Sequence, residues 1–217
     1  RNRNMIITPA ILTDNFDEFS KQIKRLEEIF NYVQIDIMDE KFVPGKSFPD
    51  IEKINKIKTK LDLELHFMTE DPLAEMQKWL EIKRVFRVVF HIEAKSDIKK
   101  CIHYARGKCW QVGLALNPET PLDKVKPYLK HINLVQFMTV NPGKQGQIFK
   151  EEVKKKIKKF LKIKKHPLCS VDGGVNFQNI KSLATLGVDI ANVGSALIKS
   201  KNLLKTYNDL VCEMSCE

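Results

Sequence analysis

Two aspartates close two short apolar runs that lie far apart in the chain. Asp36 stands in Val33-Gln34-Ile35-Asp36-Ile37-Met38-Asp39, and Asp172 in Cys169-Ser170-Val171-Asp172-Gly173-Gly174-Val175. If both runs are strands of one barrel, the carboxylates meet at its mouth. Two opposed carboxylates suit a proton transfer that inverts a stereocentre. One takes a proton from one face of a carbon, and the other returns a proton to the opposite face. His66, in Leu63-Glu64-Leu65-His66-Phe67-Met68, could join Asp36 and Asp172 around one divalent metal. The alternative is three separate polar residues, each satisfied by hydrogen bonds. His91 reads as a satisfied rim residue, and His103, His131 and His166 read as surface.

Glycine turns add a second chemistry. Gly173-Gly174 and Gly194-Ser195 each follow a strand-like run and precede a helical pattern. In a barrel these turns are neighbours, and backbone N–H groups there hold phosphate. Glycine lets the backbone approach such a ligand closely. Ordinary turn chemistry explains either turn alone; the pair is more specific. Asn141-Pro142-Gly143-Lys144-Gln145-Gly146-Gln147 is a loop that could close over a ligand.

The elements that would position these residues alternate along the chain. Strand-like runs cover 6–10, 32–37, 63–68, 86–91, 111–116, 132–138, 168–172 and 190–194. Amphipathic stretches at 16–30, 73–82, 96–105, 176–186 and 201–213 lie between and after them. Eight such units predict an α/β fold, a single (β/α)8 TIM barrel over 1–217 with its site at the C-terminal ends of the strands. An open doubly wound sheet is disfavoured because no G-x-G-x-x-G follows the first strand. Alternation places side chains. Gln34, Asp36 and Met38 share the inward face of the second strand; Glu64, His66 and Met68 share one face of the third, and Gln136 and Met138 one face of the sixth.

Composition narrows the class. The chain has 217 residues, a formal charge of +10 and five cysteines. An odd cysteine count without C-x-x-C predicts reduced thiols in a cytoplasmic protein. No apolar run approaches the roughly 20 residues of a membrane span, so no membrane partner is expected. Much of the charge lies between Lys154 and Lys165. Val153, Ile157, Phe160 and Leu161 recur there at helical spacing, predicting a helix with a solvated lysine face. No aromatic residues alternate with those lysines, so no nucleic-acid partner is expected. The first four residues precede Met5, a plausible start, and read as an added or disordered stretch.

Together these segments resemble the ribulose-phosphate 3-epimerase family nearly end to end. Ile7-Thr8-Pro9-Ala10-Ile11-Leu12 is similar to its I-x-P-S-I-L. Asp36-Ile37-Met38-Asp39 with Phe42-Val43-Pro44 is similar to D-V-M-D-G-x-F-V-P, and Leu65-His66-Phe67-Met68 to V-H-L-M. Gly113 to Pro121, Met138 to Gly143, Val171 to Val175 and Gly194 to Ala196 continue the match. The resemblance implies a ribulose-phosphate-binding barrel of the pentose phosphate pathway. It implies an isomerase that interconverts D-ribulose 5-phosphate and D-xylulose 5-phosphate through a metal-stabilised enediolate.

The same resemblance implies Asp36 and Asp172 as the acid/base pair and one divalent cation (Mn, Mg, Zn or Fe) on Asp36, His66 and Asp172. It implies Met38, Met68 and Met138 as walls around the reacting carbon. Gly143, Gly146, Gln147, Gly173, Gly174, Gly194 and Ser195 complete the expected substrate and phosphate contacts, and a homo-oligomer is expected. Four positions depart from the pattern. Gln34 stands where H-x-D places a metal-ligating histidine, and its carbonyl oxygen would be a weaker ligand for zinc or iron. Ala10 replaces a substrate-contacting serine, Glu40 a glycine, and Gly143-Lys144-Gln145-Gly146-Gln147 the loop G-F-G-G-Q. Two other readings are a degraded barrel that only binds a phosphosugar, and a 3-epimerase for another phosphorylated ketose.

Overall fold

A computed structural model describes residues 5–47 and 50–215. The expectation for residues 1–4 lies outside the described residues, as does Cys216. Eight parallel strands close into one barrel in sequence order: β1 (Ile6–Ile11), β2 (Tyr32–Met38), β3 (Asp62–Met68), β4 (Val85–His91), β5 (Gln111–Leu116), β6 (Leu134–Met138), β7 (Leu168–Asp172) and β8 (Ile190–Val193), with β8 pairing back to β1. The helices are α1 (Phe16–Leu26), α2 (Ile51–Asn55), α3 (Pro72–Lys78), α4 (Ile98–Gly107), α5 (Val153–Leu161), α6 (Ile180–Leu186), α7 (Ser195–Ile198) and α8 (Leu203–Ser215).

Local chemistry sets the helix ends. Asn15 caps α1 by accepting from the Glu18 N–H at 3.0 Å, and Asp50, Asp71 and Asp97 cap α2, α3 and α4 in the same way. Each cap satisfies an N–H that the first helical turn leaves unpaired. In α5, Val153, Ile157 and Phe160 are buried while Lys155, Lys158 and Lys159 are exposed. The lysine-rich stretch is therefore an ordinary outer face. Lys156 is the exception: its ammonium donates to the carbonyls of Asn117, at 3.0 Å, and Pro118, at 2.7 Å, tying α5 to the loop after β5. Between β5 and β6 the expected helix is replaced by two single 3-10 turns, Leu122–Lys124 and Lys126–Tyr128. Pro127 lacks the N–H that extending the first turn into an α-helix would need.

Apolar side chains fill the layer between sheet and helices, including Leu65, Phe67, Val88, Phe90, Leu114, Phe137 and Phe160. The barrel interior is different. A small apolar plug of Val89, Ala115, Leu134 and Ile190 fills part of it. A Cβ on Gly113 would lie 2.8 Å from Leu134 and 2.9 Å from Val89, so glycine leaves the room those side chains occupy. Glu64 and Arg87 form a buried ion pair inside, with Arg87 also donating to Gln111 at 3.2 Å. Beside these lie Gln34, Asp36, His66, Gln136, Ser170, Asp172 and Asn192, all buried.

Candidate active site

Strand register brings the chemistry together. Asp36 pairs with His66 across β2 and β3, Met138 with Asp172 across β6 and β7, and Asp172 with Asn192 across β7 and β8. The period of two along each strand turns these side chains inward. Asp36, His66 and Asp172 each offer a ligand atom within 4.8 Å of the others, and all three are buried. Burial excludes bulk water from two carboxylates that repel each other. That donor set, two oxygens and one imidazole nitrogen, fits a divalent cation.

The hydrogen bonds explain how the carboxylates sit so close. His66 Nδ1 lies 3.0 Å from Asp36 Oδ1 and 3.3 Å from Asp172 Oδ2. The Gln34 amide nitrogen donates to Asp36 Oδ1 at 2.8 Å and to Asp172 Oδ2 at 2.7 Å. Gln136 donates to the same Asp172 oxygen at 3.1 Å. Gln34 therefore stands in the expected ligand position but turns its donor, not its carbonyl oxygen, to the carboxylates.

Burial and the neighbouring Asp172 charge push the Asp36 carboxyl up to about 6, against the hydrogen bonds from His66 and Gln34. Burial alone would hold the His66 imidazolium down. Hydrogen bonds to Asp172 and Asp36 outweigh it and raise His66 to about 10. A protonated His66 thus shares positive charge between the two carboxylates in the metal-free protein.

His91 corrects the sequence reading. It is fully buried rather than at a rim, packed under the Phe42 ring at 4.8 Å. Its Nε2 lies 3.1 Å from His66 Nε2, and its Nδ1 lies 3.2 Å from Glu93 Oε2. Burial pushes Glu93 up, but hydrogen bonds from His91, the Thr120 hydroxyl and the Asn117 N–H hold it below the usual carboxylate range. A carboxylate only accepts, so His91 Nδ1 carries a proton. Burial keeps His91 neutral. Its bare Nε2 therefore accepts from His66 Nε2–H. This chain orients His66 with Nδ1 toward Asp36 and Asp172, as a carboxylate partner does for a metal-ligating histidine. His103 and His131 are exposed, as expected, while His166 is half-buried against Phe160.

A cavity of about 40 Å³ lies above the carboxylates, between Ala10, Met68, Met138, the 143–146 loop and the turns at Gly173-Gly174 and Gly194-Ser195. Met38 stands behind it, packed with Val43 and Met68. Gly174 has φ +66, and a Cβ there would meet Gln147 O and Phe149 N at 2.8 Å. Both the conformation and the space require glycine. Gln147 braces its own loop by donating to Asn141 O at 2.6 Å and Lys144 O at 2.9 Å. Gln145 reaches across the mouth to the Ala10 carbonyl at 3.1 Å and lies against Gly194. Sequence reasoning singled out neither Gln145, Asn192 nor Glu93. Inward alternation along β8 was the available signal for Asn192.

A closed (β/α)8 barrel with buried polar side chains at the C-terminal ends of its strands is the architecture of enzymes whose sites are built from the barrel loops. The chain matches the model of the ribulose-phosphate 3 epimerase family over residues 6–198, and it belongs to that family of isomerases. It is 30% identical to ribulose-phosphate 3-epimerase of Buchnera aphidicola subsp. Baizongia pistaciae, over 99% of both chains. Identity to the Bacillus subtilis enzyme of the same name is also 30%, over 94% of this chain and 97% of that one. Among solved structures, 3-hexulose-6-phosphate synthase from Salmonella typhimurium aligns with a TM-score of 0.71 over 97% of this chain and 98% of that one. At 16% identity that likeness speaks for the barrel alone.

Proposed function

We propose that the chain interconverts D-ribulose 5-phosphate and D-xylulose 5-phosphate by proton transfer at C3. The observation that carries this is the Asp36–His66–Asp172 cluster, with all three ligand atoms within 4.8 Å. A hydrogen α to a ketone is weakly acidic, so its removal needs a base at the carbon and a means of stabilising charge on the carbonyl oxygen. One of Asp36 and Asp172 takes the C3 proton; the other, protonated, delivers one to the far face. Their roles exchange with the direction of reaction.

The shared donors hold both groups for this task. Gln34 bridges them, Gln136 fixes Asp172, and the Glu93–His91–His66 chain aims His66 at both. Asp36, His66 and Asp172 would hold a divalent cation, which when bound supplies Lewis-acid polarisation of the substrate carbonyl. Met68 and Met138 line the cavity and keep its wall apolar. The turns at Gly173-Gly174 and Gly194-Ser195 would receive the phosphate on backbone N–H groups. The 143–147 loop lies across this cavity, where it would close over a bound phosphosugar.

The test is formation of D-xylulose 5-phosphate from D-ribulose 5-phosphate, with and without added Mn²⁺ or Mg²⁺. Turnover that rises with added cation is expected. Binding of phosphosugar without any turnover under all cations would leave a barrel that only binds. Faster epimerisation of a different phosphorylated ketose would reassign the substrate.

A further inference from the structure

Beneath the carboxylate pair lies a cluster of side-chain amides that the acid/base chemistry does not itself require. Asn192 Nδ2 is 2.6 Å from Gln34 Oε1, 3.0 Å from Gln136 Oε1 and 3.3 Å from Ser170 Oγ. Gln34, Gln136 and Ser170 are completely buried and Asn192 is 1% exposed. Among the described residues, Asn192 Oδ1 is buried with no hydrogen-bond partner.

The hydrogen bonds run one way. Asn192 gives its two amide protons to the two glutamine carbonyls, and both glutamines give theirs to the aspartates. An amide has a donor end and an acceptor end, and its orientation follows from what it faces. Reversing Gln34 alone would set its NH2 against the Asn192 NH2 and its oxygen against two carboxylates. Reversing all three amides would set both glutamine oxygens against the carboxylates and leave the Asn192 NH2 where its oxygen now finds no partner. The observed orientation is the one that leaves least unsatisfied.

We infer that Asn192 is a positioning residue: it fixes the Gln34 amide with its nitrogen toward Asp36 and Asp172, so that Gln34 clamps the carboxylate pair and is not a cation ligand. The inference rests on the epimerase reading for its purpose, because it is the acid/base pair that is being held. Its consequence is specific. A divalent cation is held by Asp36, His66 and Asp172 alone. It also competes with the two hydrogen bonds that Gln34 makes to those carboxylates.

The test is Mn²⁺ binding to the metal-free protein, by calorimetry, for the natural chain, Gln34→Leu, Asn192→Leu and the double variant. Gln34→Leu is expected to bind Mn²⁺ at least as tightly as the natural chain, since it removes a competitor and no ligand. Asn192→Leu frees the Gln34 amide to turn its oxygen to the cation and is expected to tighten binding about tenfold, the size, with opposite sign, of the affinity losses seen when a supporting residue behind a metal ligand is removed. In the Gln34→Leu background the Asn192 substitution should add nothing. Weaker Mn²⁺ binding by Gln34→Leu would overturn the inference, as would an Asn192 effect that persists without Gln34.

A second measurement needs neither metal nor variant folding. In the metal-free natural protein, side-chain amide NMR should show both Gln34 Nε2 protons protected from solvent exchange; a freely exchanging Gln34 amide would overturn the clamp. No readout here uses turnover, so failure of the inference and failure of the epimerase reading are separate results.

Discussion

Asp36 and Asp172, on strands β2 and β7, accept hydrogen bonds from one and the same amide nitrogen, that of Gln34, at 2.8 Å and 2.7 Å. Two buried carboxylates at this range repel. The bridging amide, His66 and Gln136 together make their proximity tolerable. The arrangement fixes the distance between the two carboxylates before any ligand enters.

Asp36→Asn and Asp172→Asn should each nearly abolish epimerisation. Each removes a proton-transfer group, a loss of about 10²–10⁴-fold from acid–base catalysis alone, and each removes a candidate charged ligand. Steady-state kinetics on both variants is the check. Near-natural activity in either would mean that the carboxylate concerned does not move the proton.

Gly174→Ala should raise KM for the phosphosugar and weaken inhibition by inorganic phosphate. The new Cβ would meet Gln147 O and Phe149 N at 2.8 Å in a left-handed conformation, forcing the loop out of place. Unchanged KM and unchanged phosphate inhibition would put the anion elsewhere, for instance along the lysines of α5.

The legibility of this site in the sequence was uneven, for physical reasons. Asp36 and His66 were visible because strand periodicity sets each on a polar face near a strand's C-terminal end, and Asp172 because it closes an apolar run just before a glycine turn. The β5 and β7 boundaries coincide with the apolar runs 111–116 and 168–172. Barrel closure was not visible as contacts. The Asn192–Gln34 bond joins β8 to β2, and no local pattern announces it. His91 looked like a rim residue because its strand ends there, yet Phe42, from the loop after β2, covers it. The Pro121 and Pro127 turns replaced a helix that counting units alone would insert between β5 and β6.

The metal-free protein should lose stability as pH rises from neutrality toward 10. His66 has a folded pKa of about 10 against an ordinary 6.5. Its contribution is therefore complete below about pH 6.5 and disappears as pH passes through 10. Asp36, raised to about 6, is already ionised across most of this window and adds little slope. Urea denaturation at pH 7 and pH 10 tests this, with His66→Asn expected to flatten the difference. Equal or greater stability at pH 10 would show that His66 is not held as an imidazolium.

Gln34→His should raise affinity for zinc and other transition metals, because imidazole offers a lone pair where the amide now offers protons. Turnover of ribulose 5-phosphate should rise with it. Metal titration of both forms beside parallel assays is the measurement. No change in affinity on introducing the imidazole would show that position 34 does not face the cation.

The most direct test of the two-carboxylate account is to run the reaction on D-ribulose 5-phosphate in D₂O and examine C3 of the product. An acid on the far face that exchanges with solvent delivers deuterium, so the account predicts D-xylulose 5-phosphate carrying one deuterium at C3, formed by the natural protein and not by Asp36→Asn or Asp172→Asn. Product that forms with its original hydrogen at C3, or deuterated product formed equally well without either carboxylate, would contradict it.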